Sequence, residues 1–166
     1  MTRVGRTGPA LALSAIVAVA AAGCAATEPN AAGEEATVVH VVDGDTFDAE
    51  FPDGDIERIR PPQIDAPEVD ECGYETSGAA LEELILGETV DLVPTEHGPG
   101  EDPHGRLLRA AEVDGDDVGQ LLVRSGLARW VPWYADEDPR LADMYEDAEQ
   151  QARDQSAGLW SACDWR

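Results

Sequence analysis

Between Thr37 and Val113 the chain alternates short β-branched or apolar runs with clusters of Gly, Pro and Asp, and that rhythm restricts it to a small β-rich fold. Thr37–Val42 is apolar and β-branched except for His40, and reads as a strand. Asp43-Gly44-Asp45 turns or bulges the chain, and Thr46–Phe51 alternates in part as a second strand. Pro52-Asp53-Gly54-Asp55 is a turn with Asp-Gly at its centre, and Ile56–Arg60 is a third strand. Thr89–Val93 and Leu107–Val113 are a fourth and a fifth, separated by a loop rich in Gly, Pro and acids. Thr76 or Ser77 is placed to cap a helix running to about Leu86, with Leu81, Leu84 and Ile85 on one face and Gly87 as its stop. Asp116 or Asp117 caps a second helix with Val118, Leu121 and Leu122 inward, ended by Gly126. Ala128–Tyr134 is aromatic and irregular. Arg140–Gln155 is a third helix by the spacing of Leu141, Met144, Tyr145, Ala148 and Ala152, closed by Gly158-Leu159-Trp160. Five strands with a helix between the third and fourth predict an α+β, mainly β, fold. The expected form is a five-stranded OB-fold barrel (the oligonucleotide/oligosaccharide-binding type) with about three helices.

The N-terminus is expected to lie outside that fold. Arg3 and Arg6 make a basic start, and the apolar run Leu11–Ala22 is too short to span a bilayer comfortably. Ala21-Ala22-Gly23-Cys24 then resembles a lipobox, in which Cys24 is lipidated; the alternative is an ordinary signal peptide cut nearby. Residues 1–24 are thus expected to be a signal, 25–36 a flexible linker and 37–166 the folded domain, at the cell surface on a lipid anchor or secreted. Export leaves Cys72 and Cys163 as the expected disulfide pair; metal binding by two isolated cysteines is the weaker alternative, with no Cys-x-x-Cys in the chain.

Charge narrows the class further. The chain has 11 basic and 35 acidic residues, no lysine, and a formal net charge of −24. Such repulsion can keep a chain disordered, but 43% hydrophobic residues in periodic segments argue for a folded domain. The surface reads as halophilic, because self-repulsion becomes tolerable as the Debye length falls from about 8 Å in physiological salt to about 3 Å at 1 M.

The chemistry is concentrated between Asp43 and Glu68. Val42-Asp43-Gly44-Asp45-Thr46, Arg60 and Asp65-Ala66-Pro67-Glu68 are followed by His104-Gly105-Arg106-Leu107-Leu108, the run from Val113 to Ala128, and Gly158-Leu159-Trp160. In that order, over nearly all of residues 37–161, these pieces resemble the thermonuclease (staphylococcal nuclease-like) family. The resemblance implies a calcium-dependent phosphodiesterase that cuts DNA and RNA. It implies that Asp45, Asp65 and the backbone at Ala66 hold Ca²⁺, and that Arg60, Glu68 and Arg106 are catalytic.

The residue types suit that chemistry. Calcium prefers hard oxygen ligands, Glu68 can take a proton from water, and guanidinium groups can hold two phosphate oxygens at once. Each also has a plainer reading. Asp43 and Asp45 can cap a turn, Glu68 can be a solvated acid at a helix start, and Arg60 and Arg106 can be surface ion-pair partners. Trp133 and Tyr134 can stack on a base or sugar, or pack in the core. His104, next to Gly105-Arg106, can contact substrate or be an ordinary loop residue. Pro61-Pro62 cannot donate to a sheet, so the segment after Arg60 is expected at an edge or bulge, either stiffening Arg60 or misaiming it. The expected partners are single-stranded nucleic acid as substrate and a membrane through Cys24, for a monomeric enzyme. The alternatives are a non-catalytic nucleic-acid-binding module on the same barrel and a calcium-binding lipoprotein.

Overall fold

A computed structural model describes Met1 and residues 33–165 apart from residue 99, with the backbone alone at 133–135. The expected signal, Cys24 and most of the linker lie outside the described residues. In chain order the strands are β1 (Glu34–Val41), β2 (Phe47–Glu50), β3 (Ile56–Arg60), β4 (Ile64–Asp65), β5 (Thr89–Pro94), β6 (Leu107–Val113), β7 (Asp116–Asp117) and β8 (Arg129–Trp130). The helices are α1 (Tyr74–Ile85), α2 (Val118–Arg124), α3 (Pro139–Gln155) and α4 (Leu159–Ala162), with a 3₁₀ helix at Pro132–Glu137.

The main sheet runs β3-β2-β1-β5-β6-β7, and a further pairing of β3 with β6 closes five strands into a barrel. The closing pair is parallel, Ile59 opposite Leu107 and Arg60 opposite Leu108. Closure leaves these strands without an open edge. The barrel is filled by the inward residues of alternating strands. Val38, Phe47, Ala49, Ile59, Val90, Leu92 and Ala111 are all at most 1% exposed. Leu81 and Ile85 of α1 and Val118, Leu122 and Val123 of α2 continue the core, and α3 adds Leu141, Tyr145 and Ala148. Burying a side chain the size of Phe47 or Ile59 contributes about 1.5–3 kcal/mol.

The expected barrel is present, with local corrections. β1 starts at Glu34, because Ala36 sits in the core one pleat before Val38; residues 34–36, expected in the linker, pair with β5. A bulge between Val38 and His40 breaks the alternation and leaves Val39 exposed. α1 starts at Tyr74, capped by the backbone of Gly73 in the left-handed region, not by Thr76 or Ser77. Ser77 lies inside the helix, where its hydroxyl donates to the Leu127 carbonyl at 2.6 Å and ties α1 to the end of α2. Leu121 is only half-buried; Val123 takes its expected inward place. Residues 128–134, expected to be irregular, supply β8, which pairs with β4.

Asp117 does cap α2, and more. Its Oδ1 accepts from the Gln120 amide at 2.7 Å and from the Tyr145 hydroxyl at 3.0 Å, so one carboxylate joins α2 to the buried face of α3. Burial pushes its carboxyl above the ordinary range, offset in part by those two hydrogen bonds. Asp117→Ala should therefore lose a cap and orphan a buried hydroxyl, costing about 2–4 kcal/mol of unfolding free energy. Asp117→Asn, which keeps the acceptor, should stay within about 1 kcal/mol of wild type. Urea titrations of both variants check this.

Cys72 and Cys163 are joined as a disulfide across a sequence separation of 91. Closing a loop of that length in the unfolded chain is worth about 4–5 kcal/mol in the chain-entropy model, and less where the unfolded state is already compact. Cys72→Ser with Cys163→Ser should lower the unfolding free energy by about 2–4 kcal/mol at matched salt. A loss under about 1 kcal/mol would show that the bond does not constrain the fold.

Candidate active site

The site is assembled where the turn after β1 meets the segment that follows β4. Gly44 passes so close to both neighbours that a Cβ there would stand 2.6 Å from Ser77 Cβ and 2.7 Å from Ala66 Cβ. Only glycine permits that approach. It delivers Asp45, 6% exposed, onto the peptide after Asp65, and the Ala66 amide donates to Asp45 Oδ2 at 2.7 Å. Thr46 donates to Asp45 Oδ1 at 3.2 Å. Asp43 plays the turn-capping part, its Oδ1 accepting from the Asp45 amide at 3.1 Å.

Arg60 closes this cluster from the barrel side. Its guanidinium lies 3.0 Å from Asp45 Oδ2 and donates to the carbonyls of Pro61 at 2.6 Å and Ile64 at 2.8 Å. The two prolines are buried and lie just beyond β3, where no ladder hydrogen bond is asked of them. They stiffen Arg60, since the Pro61 carbonyl is one of its anchors. Burial pushes the Asp45 carboxyl up to about 6, against the pull of Arg60 and the Ala66 amide. Its negative charge is thus only partly compensated by the protein.

Arg106 reaches the same place from the start of β6. A tight turn forms at Asp102–Arg106, where Asp102 Oδ1 accepts from the amides of His104 and Arg106. Asp102 Oδ2 takes the Arg106 Nε at 2.6 Å. Burial works against the Asp102 charge, but the hydrogen bonds from Arg106 and His104 outweigh it and hold the carboxyl below the ordinary range. Arg60, Asp65 and Arg106 line one cavity of about 340 Å³, with Asp102, Gln63 and Glu137 on its walls. Residues 46 positions apart in sequence therefore share a cleft, through the parallel pairing of β3 with β6.

Glu68 is exposed and lies outside the lining of that cavity, three residues beyond Asp65, with its amide donating to Glu71 Oε2 at 2.9 Å. His104 is exposed, with only its amide engaged among the contacts described. Trp133 and Tyr134 fall in the 3₁₀ helix, and their side chains lie outside the described residues.

Three residues escaped the sequence reading. Asp102 holds Arg106, and the Asx-turn pattern Asp102-Pro103-His104-Gly105 was the available signal. Arg129 pairs with Asp65 Oδ2 at 3.0 Å. Gln63, 2% exposed with φ 61, anchors the cavity wall by donating to the Asp138 carbonyl at 2.9 Å. Neither Arg129 nor Gln63 had a local signal, because both depend on the two-residue strands β4 and β8.

The family model for "Staphylococcal nuclease homologue" matches residues 58–162, which include Arg60, Asp65, Glu68 and Arg106. The chain belongs to the staphylococcal nuclease homologue family. It is 29% identical over 133 positions to the SPbeta prophage-derived endonuclease YokF of Bacillus subtilis, a match covering 76% of this chain and 44% of that protein. It is 28% identical to endonuclease YncB of the same organism, covering 75% and 61%. It is 32% identical to the succinoglycan biosynthesis protein ExoI of Rhizobium meliloti, covering 74% and 62%. The chain thus spans about half to three-fifths of the length of these relatives.

For this member of the family, the donor set can be tested against a calcium ion. Among the described residues no group of three or more His, Cys, Asp and Glu side chains forms a metal cage. Calcium does not need one, since water, backbone carbonyl and phosphate oxygens complete its shell. Asp45 is a buried hard-oxygen donor whose charge Arg60 and the Ala66 amide compensate only in part, and that amide fixes it beside the Asp65–Ala66 peptide. These residues fit a weakly caged, open cation site.

Proposed function

We propose that this chain is a calcium-dependent phosphodiesterase that hydrolyses DNA and RNA, exported and held at the cell surface through a lipidated Cys24. The observation that carries the catalytic part is the convergence of Arg60, Arg106 and Asp65 on one cavity, with Asp45 bonded to Arg60 and Ala66. A phosphodiester repels its nucleophile because it is anionic. The two guanidinium groups hold its oxygens and stabilise the charge added on the way to the transition state. Glu68 accepts a proton from water as the water oxygen bonds to phosphorus, and the bond from phosphorus to the leaving sugar oxygen breaks. Asp45 and Asp65, with the backbone at Ala66, would hold the calcium ion, which when bound polarises a phosphoryl oxygen.

The acidic surface sets the conditions for this activity. At low salt it repels nucleic acid, and the pocket arginines are already engaged by Asp45 and Asp102. High salt screens the general repulsion, and the ordered site supplies the specific contacts. Activity should therefore rise from low salt toward molar salt. Glu68→Gln is the direct test of the chemistry: single-stranded DNA should still bind, while cleavage falls about 10²–10⁴-fold. Unchanged cleavage would remove Glu68 from the proton transfer.

A further inference from the structure

We propose that Arg129 is a built-in competitor of the cation at Asp65, held in its competing position by the disulfide-anchored C-terminus. This deepens the reading of Asp65 as a calcium ligand and rests on it. Arg129 faces Asp65 across the β4–β8 pair, where the two residues are in register. Its NH2 group lies 3.0 Å from Asp65 Oδ2, and both side chains are about one-third exposed. One oxygen of the carboxylate is thereby committed to a guanidinium, and a full positive charge stands beside the place a cation would take.

Arg129 is also held from behind. Its guanidinium lies 5.2 Å from the centre of the Trp165 ring, a cation–π distance. Trp165 is only 9% exposed and packs at 5.2 Å against Trp160, which in turn carries Arg153 at 4.5 Å. Trp165 follows Cys163 by two residues, and the bond to Cys72 ties that end of the chain beside Arg129, in a cleft lined by Glu71, the two cysteines and Trp165. The chain of contacts therefore runs from the disulfide through Trp165 and Arg129 to Asp65. Loosening Trp165 lets Arg129 swing away, which frees the second carboxylate oxygen and removes the repulsion. In an oxidising environment the site is set to release its cation readily; when the bond is reduced, it holds the cation more tightly.

Calcium titrated calorimetrically into the intact chain tests this, at one salt concentration for every variant. Arg129→Ala and Arg129→Gln should each tighten calcium binding about tenfold, the size expected for removing a unit charge roughly 6 Å from a divalent ion where solvent keeps the dielectric close to that of water. Arg129→Lys, which keeps the charge, should stay near wild type. Trp165→Ala, or reduction of the disulfide, should tighten binding in part in the wild-type background. Neither should change it in the Arg129→Ala background, whereas general destabilisation would act in both. Calcium binding that ignores Arg129→Ala, or weakens with it, overturns the proposal while the cation reading stands. Binding absent from wild type, or undiminished in Asp65→Ala, overturns both.

Discussion

Arg106→Ala should lower the rate of the proposed calcium-dependent cleavage of single-stranded DNA about 10²–10³-fold while the protein keeps its stability within about 1 kcal/mol. The two halves of this expectation have separate origins. The guanidinium lines the cavity, about one-third exposed, and among the described residues it pairs with Asp102. Such a pair contributes little to folding. Asp102 still accepts the backbone amides of His104 and residue 106 after the change, so the turn survives. What is lost is a fixed positive charge in the cleft, which on the proposed reading would hold the phosphoryl group. Arg106→Lys should recover only part of the rate, because an ammonium cannot make the two-point contact of a guanidinium. Steady-state rates with urea melts of the same samples check both halves. A loss of less than tenfold would take Arg106 out of the transition state. Arg60 is the less clean probe, since it also anchors the carbonyls of Pro61 and Ile64.

Asp45→Asn is expected to lower cleavage at least about 10²-fold, because the proposed cation, which Asp45 would help to hold, would be worth several kcal/mol by polarising a phosphoryl oxygen. Its effect on stability should carry a distinctive pH signature. The Asp45 carboxyl is pushed from its ordinary value of 3.8 up to about 6, chiefly by burial. The folded state therefore binds this proton more tightly than the unfolded chain does. Stability from this group rises as pH falls through about 6 toward 3.8, and is lost as pH rises again. Asparagine does not titrate. Wild type should thus gain on the variant between pH 7 and pH 4, by up to about 3 kcal/mol. Urea unfolding of both proteins across that range, without calcium, measures the difference. A difference that does not change with pH would show that Asp45 is not a buried charge held for function.

The barrel was legible because its strands are long enough to show their pattern. β3 and β6 were readable to the residue, since Ile56–Arg60 and Leu107–Val113 are each closed off by turn chemistry. β4 and β8 were not readable, because two residues have no period, and their pairing is decided by which segments the barrel brings together. That pairing is what sets Arg129 against Asp65, so the contact is tertiary and leaves no local trace. α1 was displaced from its expected start for a related reason. Ser77 is a good cap by type, but the fold uses its hydroxyl to tie α1 to the Leu127 carbonyl. The turn at Asp43–Asp45 was legible as a turn, whereas the burial of Asp45 was not. It follows from Gly44 allowing the turn to press against Ala66 and Ser77. Extreme acidity hid a further feature. With so many carboxylates in the chain, the Asx-turn pattern at Asp102 was the one faint mark of the residue that fixes Arg106.

On the proposed reading, the acids and arginines gathered around this cleft make a cation-dependent phosphodiesterase. Its most direct test is cleavage of single-stranded DNA by the purified chain, with calcium or with a chelator, from low salt to molar salt. Cleavage with calcium, strongest at high salt, and its abolition by the chelator are the expected results. No calcium-dependent cleavage at any salt concentration, from a protein shown to be folded under the same conditions, would contradict that reading.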